Sequence, residues 1–187
     1  MSAVTAVPDA PARQARRSRT VLLLVAAVLA AADLVVKALA EGLLSTGATT
    51  DLGPINIKLV YNRGVAFSLG ADLSPWVVIA ATGLIIAALI WYTVSSAPST
   101  TGLSRAGAAL LLGGAAGNFI DRLDGQGVVD YLHSGWFPTF NLADVFVTTG
   151  VALIILGTII ARQPPPTAKP SASREHPPSS STAKSSP

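Results

Sequence analysis

Two aspartates stand in apolar company late in the chain. Asp130 follows two valines in "GVVDYLHSG", and Asp144 heads the apolar run in "FNLADVFVTTGVALIILGTIIAR". Taken alone, Asp144 reads equally well as a helix cap, because the first turn of a helix favours an anion. Two carboxyls in one apolar pocket behave differently. Burial raises the proton affinity of both, and their repulsion splits the two titrations, so the pair holds one shared proton. The ionised member can take a proton from water while the protonated member donates to a carbonyl oxygen. That chemistry hydrolyses an amide without a thiol or a metal. Spacing along the chain does not bring the two together; the fold must. The 187 residues include no Cys and only two His, His133 and His176. Thiol nucleophiles, disulfides and Cys-ligated metals are excluded, and a Ser-His-Asp triad or a His-based metal site would rest on His133 alone. No metal and no cofactor are expected.

The other polar residues sort by their neighbours. Asp33 and Lys37 are four apart, share a helix face and are expected to form a structural ion pair. Asp121 and Arg122 close "GGAAGNFIDR". There Gly113, Gly114, Ala115, Ala116 and Gly117 are small enough for another helix backbone to approach. Asn118 adds a polar group near the end of that helix. Asp121 is expected to be a structural brace beside Arg122, which either braces too or contacts a substrate. Asp124, in the turn-like "LDGQG", is expected to be solvated.

The elements that must position these groups belong to a membrane. Half of the residues are apolar and 12% are charged, whereas a soluble domain carries about a quarter charged residues; the mean hydropathy is +0.54. Apolar segments at 21–40, 75–94, 106–120 and 145–161 predict four spans. About 17–25 residues cross the hydrocarbon core, so the third is marginal unless its flanks extend it. The first exceeds the roughly 7–15 apolar residues of a cleaved signal peptide and carries Asp33 and Lys37, so it is expected to stay. Arg13, Arg16, Arg17, Arg19, Arg105, Arg162, Lys169, Arg174 and Lys184 fall on one side, and Lys58, Arg63 and Arg122 on the other. That bias puts both termini in the cytoplasm and the loops 41–74 and 121–141 outside. It also explains the net charge of +3 without nucleic acid. In the first outer loop Ile55, Ile57, Leu59 and Tyr61 alternate with Asn56, Lys58, Val60 and Asn62. This is a strand pattern, with "NRG" as a turn and "VAFSL" as a returning strand. Such a hairpin would be a structural lid or would cover a site. The fold expected is an all-α membrane protein of four transmembrane helices with a small extracytoplasmic β-hairpin or sheet. A disordered basic leader (1–19) and a disordered Pro/Ser-rich tail (163–187) flank the membrane domain (20–162).

These residues also fit a proton-coupled transporter, with Asp33, Asp130 and Asp144 as an ion path, or a membrane scaffold. A transporter would spread its acids through the depth of the bilayer, whereas the decisive pair here falls on one side. Asp33-x-x-x-Lys37, "NRGVAFS" from Asn62, "GGAAGNFIDR", "VVDY" and "FNLAD" occur in an order that resembles the lipoprotein signal peptidases, or signal peptidase II. The resemblance covers about residues 21–162. It implies a four-helix aspartic endopeptidase of the bacterial inner membrane, with its active site near the extracytoplasmic face. Such an enzyme cleaves prolipoproteins just before a diacylglyceryl-modified cysteine. It further implies that Asp130 and Asp144 are the catalytic dyad and that Asn62, Gly64, Asn118, Arg122 and Asn141 support substrate and dyad. Membrane lipids and prolipoproteins are the expected partners, and the enzyme is expected to act as a monomer.

Overall fold

The structure, a computed structural model, describes residues 10–47, 49–51, 53–64 and 73–162. In chain order these form α1 (Ala10–Leu44), β1 (Thr50–Asp51), β2 (Asn56–Asn62), α2 (Pro75–Ser96), α3 (Gly102–Arg122), β3 (Val128–His133) and α4 (Leu142–Arg162). The predicted return strand at 65–69, residues 1–9 and the tail 163–187 lie outside the described residues. The leader expected over 1–19 is corrected in its second half, because α1 already begins at Ala10. Ala, Arg and Gln there are strong helix formers. Arg19 also ties this end to α2, donating from Nε to the Val94 carbonyl at 3.0 Å.

Helices α1, α2 and α4 are long and apolar enough to cross a membrane. They turn large apolar side chains outward, among them Val28, Leu84 and Ile155. Trp76 and Trp91 stand exposed at opposite ends of α2, the levels at which aromatic rings meet lipid headgroups. Helix α3 is built differently. It packs most closely with α4, then with α1 and α2, and its buried side is almost entirely small: Ser104, Gly107, Ala108, Ala109, Gly113, Gly114 and Gly117, with Leu112. A helix walled in by protein needs little apolar surface of its own. Small residues let the neighbours close in, which is how helices attract in lipid.

The α3–α4 contact is the tightest case. A Cβ on Gly150 would stand 2.6 Å from both the Gly107 carbonyl oxygen and the Leu111 nitrogen. Both obstacles are backbone, so no rotamer change can relieve them.

The described strands form one small sheet; the return strand expected at 65–69 lies outside them. The sheet order is β1-β2-β3, all antiparallel, so the long partner of β2 comes from the loop between α3 and α4. Val129 and Tyr131 pack with Ala40 and Leu44, seating the sheet on the end of α1. Between Ile57 and Val60 the register shifts, and Val60 then pairs with Asp130. Because side chains alternate, a one-residue slip exchanges the two faces of a strand. The shift therefore puts Val60 and Asn62, rather than Tyr61, on the face of Asp130. Tyr61 is instead exposed and donates to Glu41 Oε1 at 2.8 Å.

Gly150→Ala is expected to force α3 and α4 apart and destabilise the protein by about 1–3 kcal/mol, the usual penalty of overpacking. Thermal unfolding in detergent checks this, and an unchanged midpoint would contradict it.

Candidate active site

Helix α4 begins inside the protein, and its first N–H groups have no partners within their own helix. Side chains supply them. The Leu142 amide donates to the Tyr131 hydroxyl at 3.2 Å, the Ala143 amide to Asp33 Oδ1 at 2.8 Å, and the Asp144 amide to Asn141 Oδ1 at 3.0 Å. In return, Asp144 Oδ2 accepts from the Asn141 backbone N–H at 3.2 Å. Asn141 and Asp144 thus form a reciprocal capping box. Burial pushes the Tyr131 phenol up to about 12, so it remains a neutral acceptor at this helix start.

The box reaches the second acid through the other end of the Asn141 amide. Asn141 Nδ2 donates to Asp130 Oδ1 at 2.7 Å, and Asn141 is fully buried. One residue therefore touches both carboxylates: Asp130 with its amide nitrogen, and Asp144 with its backbone nitrogen. Asp130, on β3, is 1% exposed and receives a second donor, Asn62 Nδ2, at 3.2 Å. Burial first, and the neighbouring charge of Asp144 second, push its carboxyl up to about 6, although the two asparagine donors pull the other way. Asp144 is half-buried, and its Oδ1 accepts from Asn118 Nδ2 at 2.9 Å.

The orientation of the Asn118 amide is fixed from behind. Its Oδ1 accepts from Lys37 Nζ at 2.8 Å and from Asn141 Nδ2 at 3.0 Å. Two donors on the oxygen leave only the nitrogen to face Asp144. Lys37 itself lies 2.8 Å from Asp33 and 2.8 Å from Asp121, an arrangement 2% exposed at the lysine. Asp121 Oδ2 also accepts from the Val129 amide at 3.1 Å, tying the end of α3 to β3. A buried charge left without its partner is strongly destabilising, by about 3–5 kcal/mol. The set Asp33, Lys37 and Asp121 is thus a frame around the asparagines.

Asp121 pairs with Lys37 rather than with its neighbour Arg122. The Arg122 guanidinium donates to the Asn118 carbonyl at 2.7 Å and to the Gly64 carbonyl at 2.9 Å, bridging the end of α3 to the chain just after β2. The Gly64 amide turns back onto Asn62 Oδ1 at 3.1 Å. That bond orients the Asn62 amide so that its nitrogen meets Asp130. Asn62, Gly64, Asn118, Arg122, Asp130, Asn141 and Asp144 therefore form one connected network. Asp124 stands apart, exposed, accepting from the Gln126 amide. His133 also stands apart from the network, against Thr139 Oγ1 at 3.3 Å. Sequence reasoning gave Tyr131 no task; its place next to Asp130 in "VVDY" was the one available signal.

The family described as "Signal peptidase (SPase) II" matches this chain over residues 25–160. A lipoprotein signal peptidase of Mycolicibacterium smegmatis is 38% identical over 181 residues, spanning 88% of this chain and 74% of that protein. Another, of Mesorhizobium japonicum, is 37% identical over 155 residues, spanning 80% and 90%. Among solved structures, a bacterial membrane enzyme determined by the in meso method at 2.3 Å is 28% identical with a TM-score of 0.65, covering 75% of this chain and 88% of its own. A second, at 1.9 Å, is 29% identical with a TM-score of 0.63, covering 75% and 93%. With relatives this similar in sequence, and a match that runs from the first helix to the last, the chain belongs to the signal peptidase II family.

Proposed function

We propose that this chain is an aspartic endopeptidase that removes signal peptides from diacylglyceryl-modified prolipoproteins, cutting just before the lipidated cysteine. The observation that carries the reading is the contact of Asn141 with both Asp130 and Asp144. A shared buried asparagine hydrogen-bonds to both carboxylates. It also keeps them in different surroundings, one sealed under the sheet and one on the rim of a helix.

In this reading the dyad acts as a unit with one proton. The ionised carboxylate removes a proton from the attacking water, and the protonated one donates to the carbonyl oxygen of the scissile amide. The tetrahedral intermediate collapses as a proton passes to the leaving nitrogen, which releases the new amine. In the same reading Arg122 positions the chain at Gly64 beside the dyad, through its bond to the Gly64 carbonyl. All four helices cross the bilayer, α3 shielded by the other three, with both termini cytoplasmic and the dyad at the extracytoplasmic face. The sheet lies over the headgroups beside the dyad. The apolar signal segment enters sideways between helices while the acyl chains stay in lipid.

Asp130→Asn and Asp144→Asn are each expected to lower cleavage by about a thousandfold or more. Insertion should be preserved, and because asparagine keeps one of the two acceptor oxygens at either position, the loss of thermal stability should be small beside the loss of turnover. A gel-shift assay of a diacylglyceryl-modified prolipoprotein with the purified variants in detergent decides this; retained turnover by either variant would refute the dyad.

The proton on the dyad gives a second expectation. The raised carboxyl of Asp130 is protonated below about 6 and loses its proton as the pH rises through that value. The kcat/KM profile, which reports the free enzyme, should fall along an alkaline limb for this reason. Asn62 donates to the ionised form and lowers the titration. Asn62→Ala should therefore shift the limb to higher pH, and a shift to lower pH would contradict the assignment.

A further inference from the structure

At the end of the bundle away from the dyad, a groove of about 520 Å³ runs between α1 and α3. Asn118 lies thirteen residues along α3 from Arg105, about 20 Å at 1.5 Å per residue, so this groove is no part of the candidate active site. The α1 wall is one continuous stripe from Gln14 to Val25, about 17 Å long. Its character changes along that length. Arg17 and Ser18 line it toward the start of α1 and Arg105 toward the start of α3, and Val21, Val25 and Ala106 follow further along the helices. Small α3 residues make the groove, because Ala106 and Ala109 leave space that a longer side chain would fill.

We propose that this groove holds one anionic glycerophospholipid of the surrounding leaflet. Arg17 and Arg105 grip the phosphate, Ser18 serves the glycerol region, and an acyl chain lies along Val21 and Val25. Three observations point to that occupant. The first is charge: Arg17 of α1 and Arg105 of α3 both line the groove, while every carboxylate among the described residues lies from Asp33 onward in α1, in the loops 45–74 and 123–141, or at the dyad ends of α3 and α4. Arg105 donates through Nη1 to the Ala97 and Thr100 carbonyls at 3.3 and 2.8 Å, which fixes the side chain without neutralising it. The second is polarity: the passage from cationic to apolar runs along the helix axes, as it does from headgroup to chain in a lipid. The third is continuity: Val21 and Val25 are about half exposed and extend into the apolar flank of α1. Basic pockets between spanning helices bind anionic headgroups for these reasons. The inference does not depend on the proposed chemistry of the dyad.

Native mass spectrometry of the full chain in detergent tests it, with dioleoyl phosphatidylglycerol and dioleoyl phosphatidylcholine as probes. The unaltered protein should retain a single phosphatidylglycerol in preference to phosphatidylcholine. Arg17→Gln, on an exposed turn, should reduce that preference about fivefold, the effect of one basic residue near an anionic headgroup. Arg105→Gln should do the same. Ala106→Phe keeps both cations but fills the apolar end, and should weaken retention of the lipid; it carries the test alone if a charge variant does not fold. Preference unchanged in Arg17→Gln, retention unchanged in Ala106→Phe, or displacement of the lipid by equimolar glycerophosphoglycerol would each overturn the proposal. The last result would mean a site for soluble anions.

Discussion

The start of α4 is the constraint on which the rest depends. A helix that begins inside the protein exposes N–H groups to a medium that cannot solvate them, and each one left unpaired costs about 1–3 kcal/mol. Here three successive amides, of Leu142, Ala143 and Asp144, are met by Tyr131 from β3, Asp33 from α1 and Asn141 from the capping box. Satisfying this one helix end thus recruits the sheet and the first helix to the same point. The groups that remain, the carboxylates of Asp130 and Asp144 and the amides between them, are held at that same point. Structural need and chemical opportunity share the same atoms.

Precision at that point is built in layers. The glycines of α3 and α4 set the helix spacing, so that Asn118 reaches Asp144. Lys37 sets the direction of the Asn118 amide from behind, and the paired acids Asp33 and Asp121 hold Lys37. The register shift in β2 puts Asn62 on the same face as Asp130, where its amide reaches the carboxylate. Asparagines suit these tasks because an amide offers both a donor and an acceptor, and each bond made by one end fixes the orientation of the other.

Much of this was legible in the sequence, though unevenly. Asn141-x-x-Asp144 before an apolar run is a local signal for a capped helix start, and Asp33-x-x-x-Lys37 is a local signal for a pair on one face. The small residues of "GGAAGN" announced a closely packed helix. Contacts between distant segments were hidden. Nothing near Asp33 announces that it meets the Ala143 amide 110 residues later, and nothing in the alternation of 55–62 reveals that β3 is the partner. The register shift is hidden for the same reason, since a bulge is decided by the partner strand. The helix over 10–19 was missed because a run of arginines reads as a solvated leader, while its helix-forming residues weigh in the other direction.

The central claim is that Asp130 and Asp144 feel each other's charge within one buried network. Infrared titration of the protonated Asp130 carboxyl band, in the unaltered protein and in Asp144→Asn, measures this directly. Removing a neighbouring negative charge should move the Asp130 midpoint to lower pH. An Asp130 midpoint that stays where it was would mean that the two acids do not interact, and the dyad reading would fail.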